Sequence, residues 1–199
     1  LAIADKLRTQ VTSINQGISN GNSAIALLQI ADKSMAEQSK ILDTIKSKLI
    51  QANTATTSDD GRTAIAKDVT KLLEQLNNIA EQTNYNGTNL LQKARSTAAA
   101  TLTATRTAQT SLSFQIGENK DDLIKTKTIQ ANVGGYKLTT LATAVKAGAG
   151  ISAGTTAGAT ARFSRAESSA GQTAIDKAIT QLNGYRGDIG STQNQVESA

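Results

Sequence analysis

Leu7, Ile14, Leu28, Met35, Leu42 and Leu49 recur on a seven-residue repeat that only Gly21 interrupts. Val11, Ile18 and Ile25 sit four residues after members of that series, so the first half reads as a 4-3-4-3 stripe. The spacing predicts one long helix over residues 1–52, with a narrow apolar seam meant for partner helices. A helix of about fifty residues would reach about 75 Å at 1.5 Å per residue. Average globular helices run to about a dozen residues, so this is a rod element. TATTSDDG, residues 54–61, has turn composition and should end it. Ile65, Val69, Leu72, Leu76 and Ile79 repeat the stripe and predict a second helix over about 62–83. Two seams joined by a short loop make an antiparallel helical hairpin. NYNGT at 84–88 carries an Asn-Gly pair, a strong turn signal. Ile175, Ile179, Leu182, Ile189 and Val196 predict a last helix over about 173–198, with the first hairpin as its natural partner.

The middle of the chain has another period. Leu112, Phe114 and Ile116 alternate with polar residues, the mark of a half-buried strand. GENKD at 117–121 can turn the chain, and 123–131 offers a return strand, giving a β-hairpin over about 111–131. Such a hairpin is marginal alone and should pack on the helices. The Ala/Thr-rich segment 94–110 reads equally as helix or as exposed strand. Residues 142–171 are low-complexity Ala, Gly and Thr, expected to be a poorly ordered surface excursion. Gly17 and Gly21, four apart in the first helix, either admit a close backbone or loosen a polar patch. The expected fold class is mainly α with a small β part: an elongated rod of two N-terminal helices and one C-terminal helix in coiled-coil-like packing, plus a β-hairpin.

Composition narrows the function. Histidine and cysteine are both absent, which removes an imidazole base, the usual catalytic triad, disulfides and thiolate metal sites. Asp59–Asp60 and Asp121–Asp122 are adjacent, but neighbours in a turn point apart. GENKDD lacks the oxygen ladder that calcium needs. No G-x-x-x-x-G-K-[ST] run follows a strand. These absences argue against an enzyme and against any metal or cofactor. The net charge of +5 is spread over 21 basic and 16 acidic residues, and aromatics make up only 3%, so a nucleic-acid surface is not expected. No apolar run reaches the roughly 18 residues of a membrane span, and no signal peptide is visible.

Five segments together carry a family resemblance. LAIADKLRTQ, ISNGNSAIALLQIADKSMAEQSKILDTI, EQTNYNGTNLL, SFQIGEN and AIDKAITQLNGYRGDIGSTQNQVESA resemble bacterial flagellins, in flagellin order. They cover about residues 1–93, 111–141 and 172–199. The resemblance implies an inner rod domain over 1–141 and 172–199, with 142–171 standing in place of outer domains. It implies a structural subunit, secreted through the flagellum's own export apparatus with a chaperone and polymerised with other flagellin subunits into the extracellular filament used for motility. It also implies that the terminal helices lining the filament core lie outside this stretch, which would then stay monomeric.

Many flagellins are sensed by a vertebrate Toll-like receptor through an arginine and a leucine on the first long helix and an acid on the second. Those positions hold Thr44, Lys48 and Asp68 here. Weak or absent receptor binding is the expectation, as in the receptor-evading flagellins of the Campylobacter and Helicobacter group. A hook–filament junction protein shares the rod helices and is the nearest alternative, although EQTNYNGTNLL followed by a short FQIGEN hairpin favours flagellin proper. A helical signalling module of the chemoreceptor type is the alternative from another class, and should lack strands.

Overall fold

The computed structural model describes residues 18–19, 21–93, 101–104, 106–109, 111–115, 123–151 and 162–198. In chain order these form β1 (Ile18–Ser19), α1 (Gly21–Ala52), α2 (Asp59–Gln82), β2 (Asn84–Tyr85), β3 (Thr88–Asn89), β4 (Ser113–Gln115), β5 (Leu123–Lys125), α3 (Thr139–Ala149) and α4 (Arg165–Ser198). The fold is mainly helical with small β elements.

The single helix expected over 1–52 begins at Gly21 among the described residues. Ile18 and Ser19 are instead extended and pair in parallel with Ser113 and Phe114. The run Ser19-Asn20-Gly21-Asn22-Ser23 explains the break. Ser and Asn side chains compete for local backbone groups, and Gly pays the largest helix entropy. Gly21 has open space around it, so it does not admit a close backbone. Leu7, Val11, Ile14 and Gly17 lie outside the described residues.

Within α1, Ala24, Ala31, Gln38, Ile45 and Ala52 form one buried seven-residue series, and Leu28, Met35, Leu42 and Leu49 form a second. That double seam serves two neighbours. α2 runs antiparallel to α1, with Lys48 against Asp68 and Gln38 against Leu76. α4 also runs antiparallel to α1, with Lys46 against Asp176 at 2.6 Å and Asp32 against Arg186 at 2.8 Å.

α2 begins at Asp59, earlier than expected, because the loop-like SDDG is its cap. Ser58 Oγ accepts from Gly61 N at 3.0 Å, and Asp59 and Asp60 occupy the first turn, where the helix dipole favours acids. Ile65, Val69 and Leu76 are buried on α2, whereas Leu72 and Ile79 are only half-buried. Ala66, Leu73 and Ala80 are buried in addition. A single-partner stripe misses this, because α2 packs on both α1 and α3. On α4, Ile175, Leu182, Ile189 and Val196 are buried and Ile179 is half-buried.

β4 and β5 pair antiparallel, with Phe114 opposite Ile124. The same register continues outward through Thr126 N to Leu112 O at 2.9 Å and through the Gln109–Ile129 bridge. The expected alternation fails: Ser113, Phe114 and Gln115 are all buried, since β4 is the central strand between β1 and β5. Ile116 and the GENKD turn lie outside the described residues. Segment 101–109 is neither helix nor exposed strand where described; Leu102, Arg106 and Gln109 are buried.

The excursion expected over 142–171 is structured where it is described, at 142–151 and 162–171. α3 covers 139–149, and Ala142, Val145 and Gly148 bury its inner face. Small residues bring this face close: a Cβ on Gly148 would lie 2.8 Å from Phe163 Cβ, and one on Gly171 would lie 2.8 Å from Leu141 Cδ1. α4 starts at Arg165 because Ser164-Arg165-Ala166-Glu167 is a capping box. Ser164 Oγ accepts from Glu167 N at 3.1 Å, and Glu167 Oε1 accepts from Ser164 N at 3.0 Å. Residues 152–161 lie outside the described residues.

Candidate functional surface on the rod

Thr44 and Lys48 lie one turn apart on α1, which puts both on the face turned toward α2. Thr44 is exposed, and its hydroxyl donates to Lys40 O at 2.9 Å. Lys48 Nζ meets Asp68 Oδ2 at 3.1 Å across the helix pair, with both side chains part-exposed. The three positions singled out in the sequence therefore share one face, and two of them neutralise each other. An exposed pair of this kind contributes only about 0–1 kcal/mol. Beside it runs a groove of about 440 Å³, with Ile41, Leu72 and Ile79 providing apolar surface between the polar side chains of Lys40, Thr44 and Gln75. This groove is where two of the five α2 stripe residues, Leu72 and Ile79, show at the surface.

A second groove, of about 460 Å³, runs between α3 and α4. Thr140, Ala144, Ala147, Ala170 and Ala174 line it, with Lys137 and Glu167 among its few charges. Among the described residues no three acidic groups cluster as a metal site. The carboxylates weighed for acid–base work are engaged instead: Asp59 with Arg62, and Asp60 with Arg162 at 3.4 Å. Asp121 and Asp122 lie outside the described residues.

The core under these surfaces carries hydrogen-bonded polar side chains. Gln38 Nε2 donates to Ala131 O at 2.7 Å and to Leu76 O at 3.2 Å, while its Oε1 accepts from Tyr136 OH at 2.9 Å. Asn77 Nδ2 donates to Leu102 O at 3.1 Å, and its Oδ1 accepts from Val133 N at 2.9 Å. Asn132 Nδ2 donates to Gln92 Oε1, and its Oδ1 accepts from Gly135 N, both at 2.8 Å. Gly135 is obligatory here, since a Cβ would fall 1.8 Å from Gln130 O. Gln38 and Asn77 escape sequence reading because Gln and Asn on a helix usually face water. Gln38 carried one usable signal: it falls in register with Ala24, Ala31, Ile45 and Ala52.

Burial, and secondarily the neighbouring Tyr185, push the Tyr136 phenol well above its ordinary value of 10.0. Tyr136 must therefore stay protonated, as its donation to Gln38 requires. A folded-state value above the unfolded one contributes stability that is fully present below pH 10.0 and is lost as pH rises toward the folded value. Chemical unfolding across the alkaline range should show stability falling from about pH 10 upward, and Tyr136→Phe should flatten that part of the fall.

A rod of long antiparallel helices carrying a short sheet is what the five sequence segments imply. The description "Bacterial flagellin N-terminal helical region" fits residues 1–96. The chain belongs to the bacterial flagellins. Flagellin A of Helicobacter felis is 38% identical over 143 residues, covering 70% of this chain and 25% of that protein. The flagellar filament 33 kDa core protein of Treponema phagedenis is 28% identical over 199 residues, covering 99% of this chain and 63% of its own length. The crystal structure of Bacillus cereus flagellin superposes with a TM-score of 0.61 at 22% identity, covering 89% of this chain and 84% of that one. This chain thus has the flagellin fold. It spans between 18% and 25% of the length of the Helicobacter flagellins it matches. The flagellin family is structural rather than enzymatic.

Proposed function

We propose that this chain is the rod portion of a flagellar filament subunit, exported and polymerised outside the cell with copies of itself to make the motility propeller. The observation that carries this reading is the match of almost the whole chain to a flagellar filament core protein. The architecture supports it. A rod whose seams are satisfied internally presents long polar sides, and these suit lateral packing of many copies. Strands in the structure weigh against a purely helical signalling module. A hook–filament junction protein would share the rod, and assembly separates the two. Seeded polymerisation followed by electron microscopy should give filaments from this rod joined to flagellin terminal segments, and none from the rod by itself. Failure of the joined form to extend flagellin seeds would favour the junction reading.

On the same reading the α1–α2 face does not engage the flagellin-sensing Toll-like receptor well. Thr44 supplies no guanidinium, and Lys48 is both charged and held by Asp68. Arginine is an interface anchor whose truncation commonly costs about 2 kcal/mol or more. Thr44→Arg with Lys48→Leu, in a polymerisation-competent chain, should raise activity in a receptor reporter assay by at least about tenfold. An unchanged reporter signal would show that this face does not set the response.

A further inference from the structure

The hairpin β2–β3 places two exposed residues, Asn86 and Gly87, at its tip, between Tyr85 and Thr88. Both have positive φ, 51° and 84°, the pattern of a two-residue type I′ turn. In such a turn the first and fourth residues exchange the backbone hydrogen bond, so the amide of Gly87 is left out of the ladder. It donates instead to Asn84 Oδ1, at a long 3.4 Å. We propose that Asn86 is a site of spontaneous covalent modification, at which the folded protein converts its side-chain amide to a carboxylate.

The step needs only water. The deprotonated nitrogen of Gly87 attacks Asn86 Cγ; the N–Cγ bond forms, the Cγ–Nδ2 bond breaks, and ammonia leaves with the amide proton. The resulting five-membered imide then takes up one water. Opening on the side-chain carbonyl gives aspartate, and opening on the backbone carbonyl gives isoaspartate, with the chain rerouted through Cβ. Nothing is oxidised or reduced. Three features favour this position. Gly87 has no side chain to obstruct the attack. Its nitrogen gives up only a weak bond. Rotation about the Asn86 backbone, which the attack requires, is easiest in an exposed turn.

Asn183–Gly184 provides an internal control with the same dipeptide. It is also exposed, but it lies inside α4, where the Gly184 nitrogen is committed to the helix and the backbone cannot rotate without local unfolding. Among the described residues, the other exposed asparagines, 22, 78, 84 and 194, are each followed by a residue that carries a side chain. The product matters locally. Asn89 O accepts from Gln109 Nε2 at 2.6 Å, and Leu90 N donates to Thr83 O at 3.2 Å, so the hairpin arms anchor the buried Leu90 and Leu91. An isoaspartate lengthens a two-residue turn and loosens that anchor.

The test is to age the folded protein at mildly alkaline pH and, in parallel, the same chain unfolded in urea. Tryptic peptides Leu72–Lys93 and Ala178–Arg186 are then compared by tandem mass spectrometry. Unfolded, both asparagines should convert at similar rates. Folded, Asn86 should convert to a mixture of aspartate and isoaspartate at least about tenfold faster than Asn183, a protection difference of about 1.4 kcal/mol. If folding protects Asn86 as strongly as Asn183, or if conversion falls on another asparagine of the first peptide, the assignment is wrong.

Discussion

Gln38→Ala is expected to lower unfolding stability by about 3–5 kcal/mol, enough to threaten a fold whose total is typically about 5–15 kcal/mol. Gln38 is fully buried within the apolar stripe of α1 and makes three hydrogen bonds, to α2, to Ala131 in the segment after β5 and to Tyr136. Truncation leaves two carbonyls and a phenol without those bonds in a dry interior. Each such group costs about 1–3 kcal/mol. A cavity adds to this, because the neighbouring Leu76 and Tyr136 are themselves held in place. Urea unfolding followed by circular dichroism measures the loss. Gln38→Leu separates shape from polarity: it fills the cavity but leaves the same groups unpaired, so it should remain costly. Adding Tyr136→Phe to Gln38→Leu should recover part of the loss, with a coupling of about 0.5–3 kcal/mol. A Gln38→Ala loss below about 1 kcal/mol would mean that water replaces the amide without penalty.

The long-range logic of the rod was legible from spacing alone. Leu28, Met35, Leu42 and Leu49 recur because a helix returns the same face every seven residues, and all four are buried. Where the reading failed, the cause was a local signal outweighed by context. Ile18 continues the stripe in type, yet the polar run that follows it and the edge of β4 draw it into an extended pairing. Ala, Gly and Thr over 142–149 looked too small for a core, but small residues are what let α3 sit closely on its neighbours. Ser164 and Glu167 form a helix-start signal that the low-complexity composition around them masks. Thr44, Lys48 and Asp68 came from the family resemblance alone, since they lie on two different helices. The Lys48–Asp68 contact was not foreseeable, because it depends on how α1 and α2 are rotated against each other.

The same dependence on context governs the second large effect, at Arg106 and Glu81. Removing one member of this pair should destabilise the protein by about 3–5 kcal/mol, while replacing both with apolar residues of similar volume should cost much less. Arg106 Nε meets Glu81 Oε1 at 2.7 Å, with side-chain exposures of 5% and 17%, so the pair is shielded as surface ion pairs are not. Arg106 also organises its own segment: one guanidinium nitrogen donates to Ala104 O at 3.0 Å and to Leu102 O at 3.3 Å. Its carbonyl accepts from Gln130 Nε2 at 2.8 Å. A segment without helix or strand is thereby fastened to α2 and led into the hairpin at Gln109. Glu81→Ala strands a charge beside that scaffold. Its signature should be local before it is global, with hydrogen exchange quickening over 101–109 and at the Gln109–Ile129 bridge. A cycle of Glu81→Leu, Arg106→Met and the double variant measures the coupling. If the double variant is as unstable as the sum of the singles, the two charges are not coupled. Segment 101–109 would then be held by its backbone contacts alone.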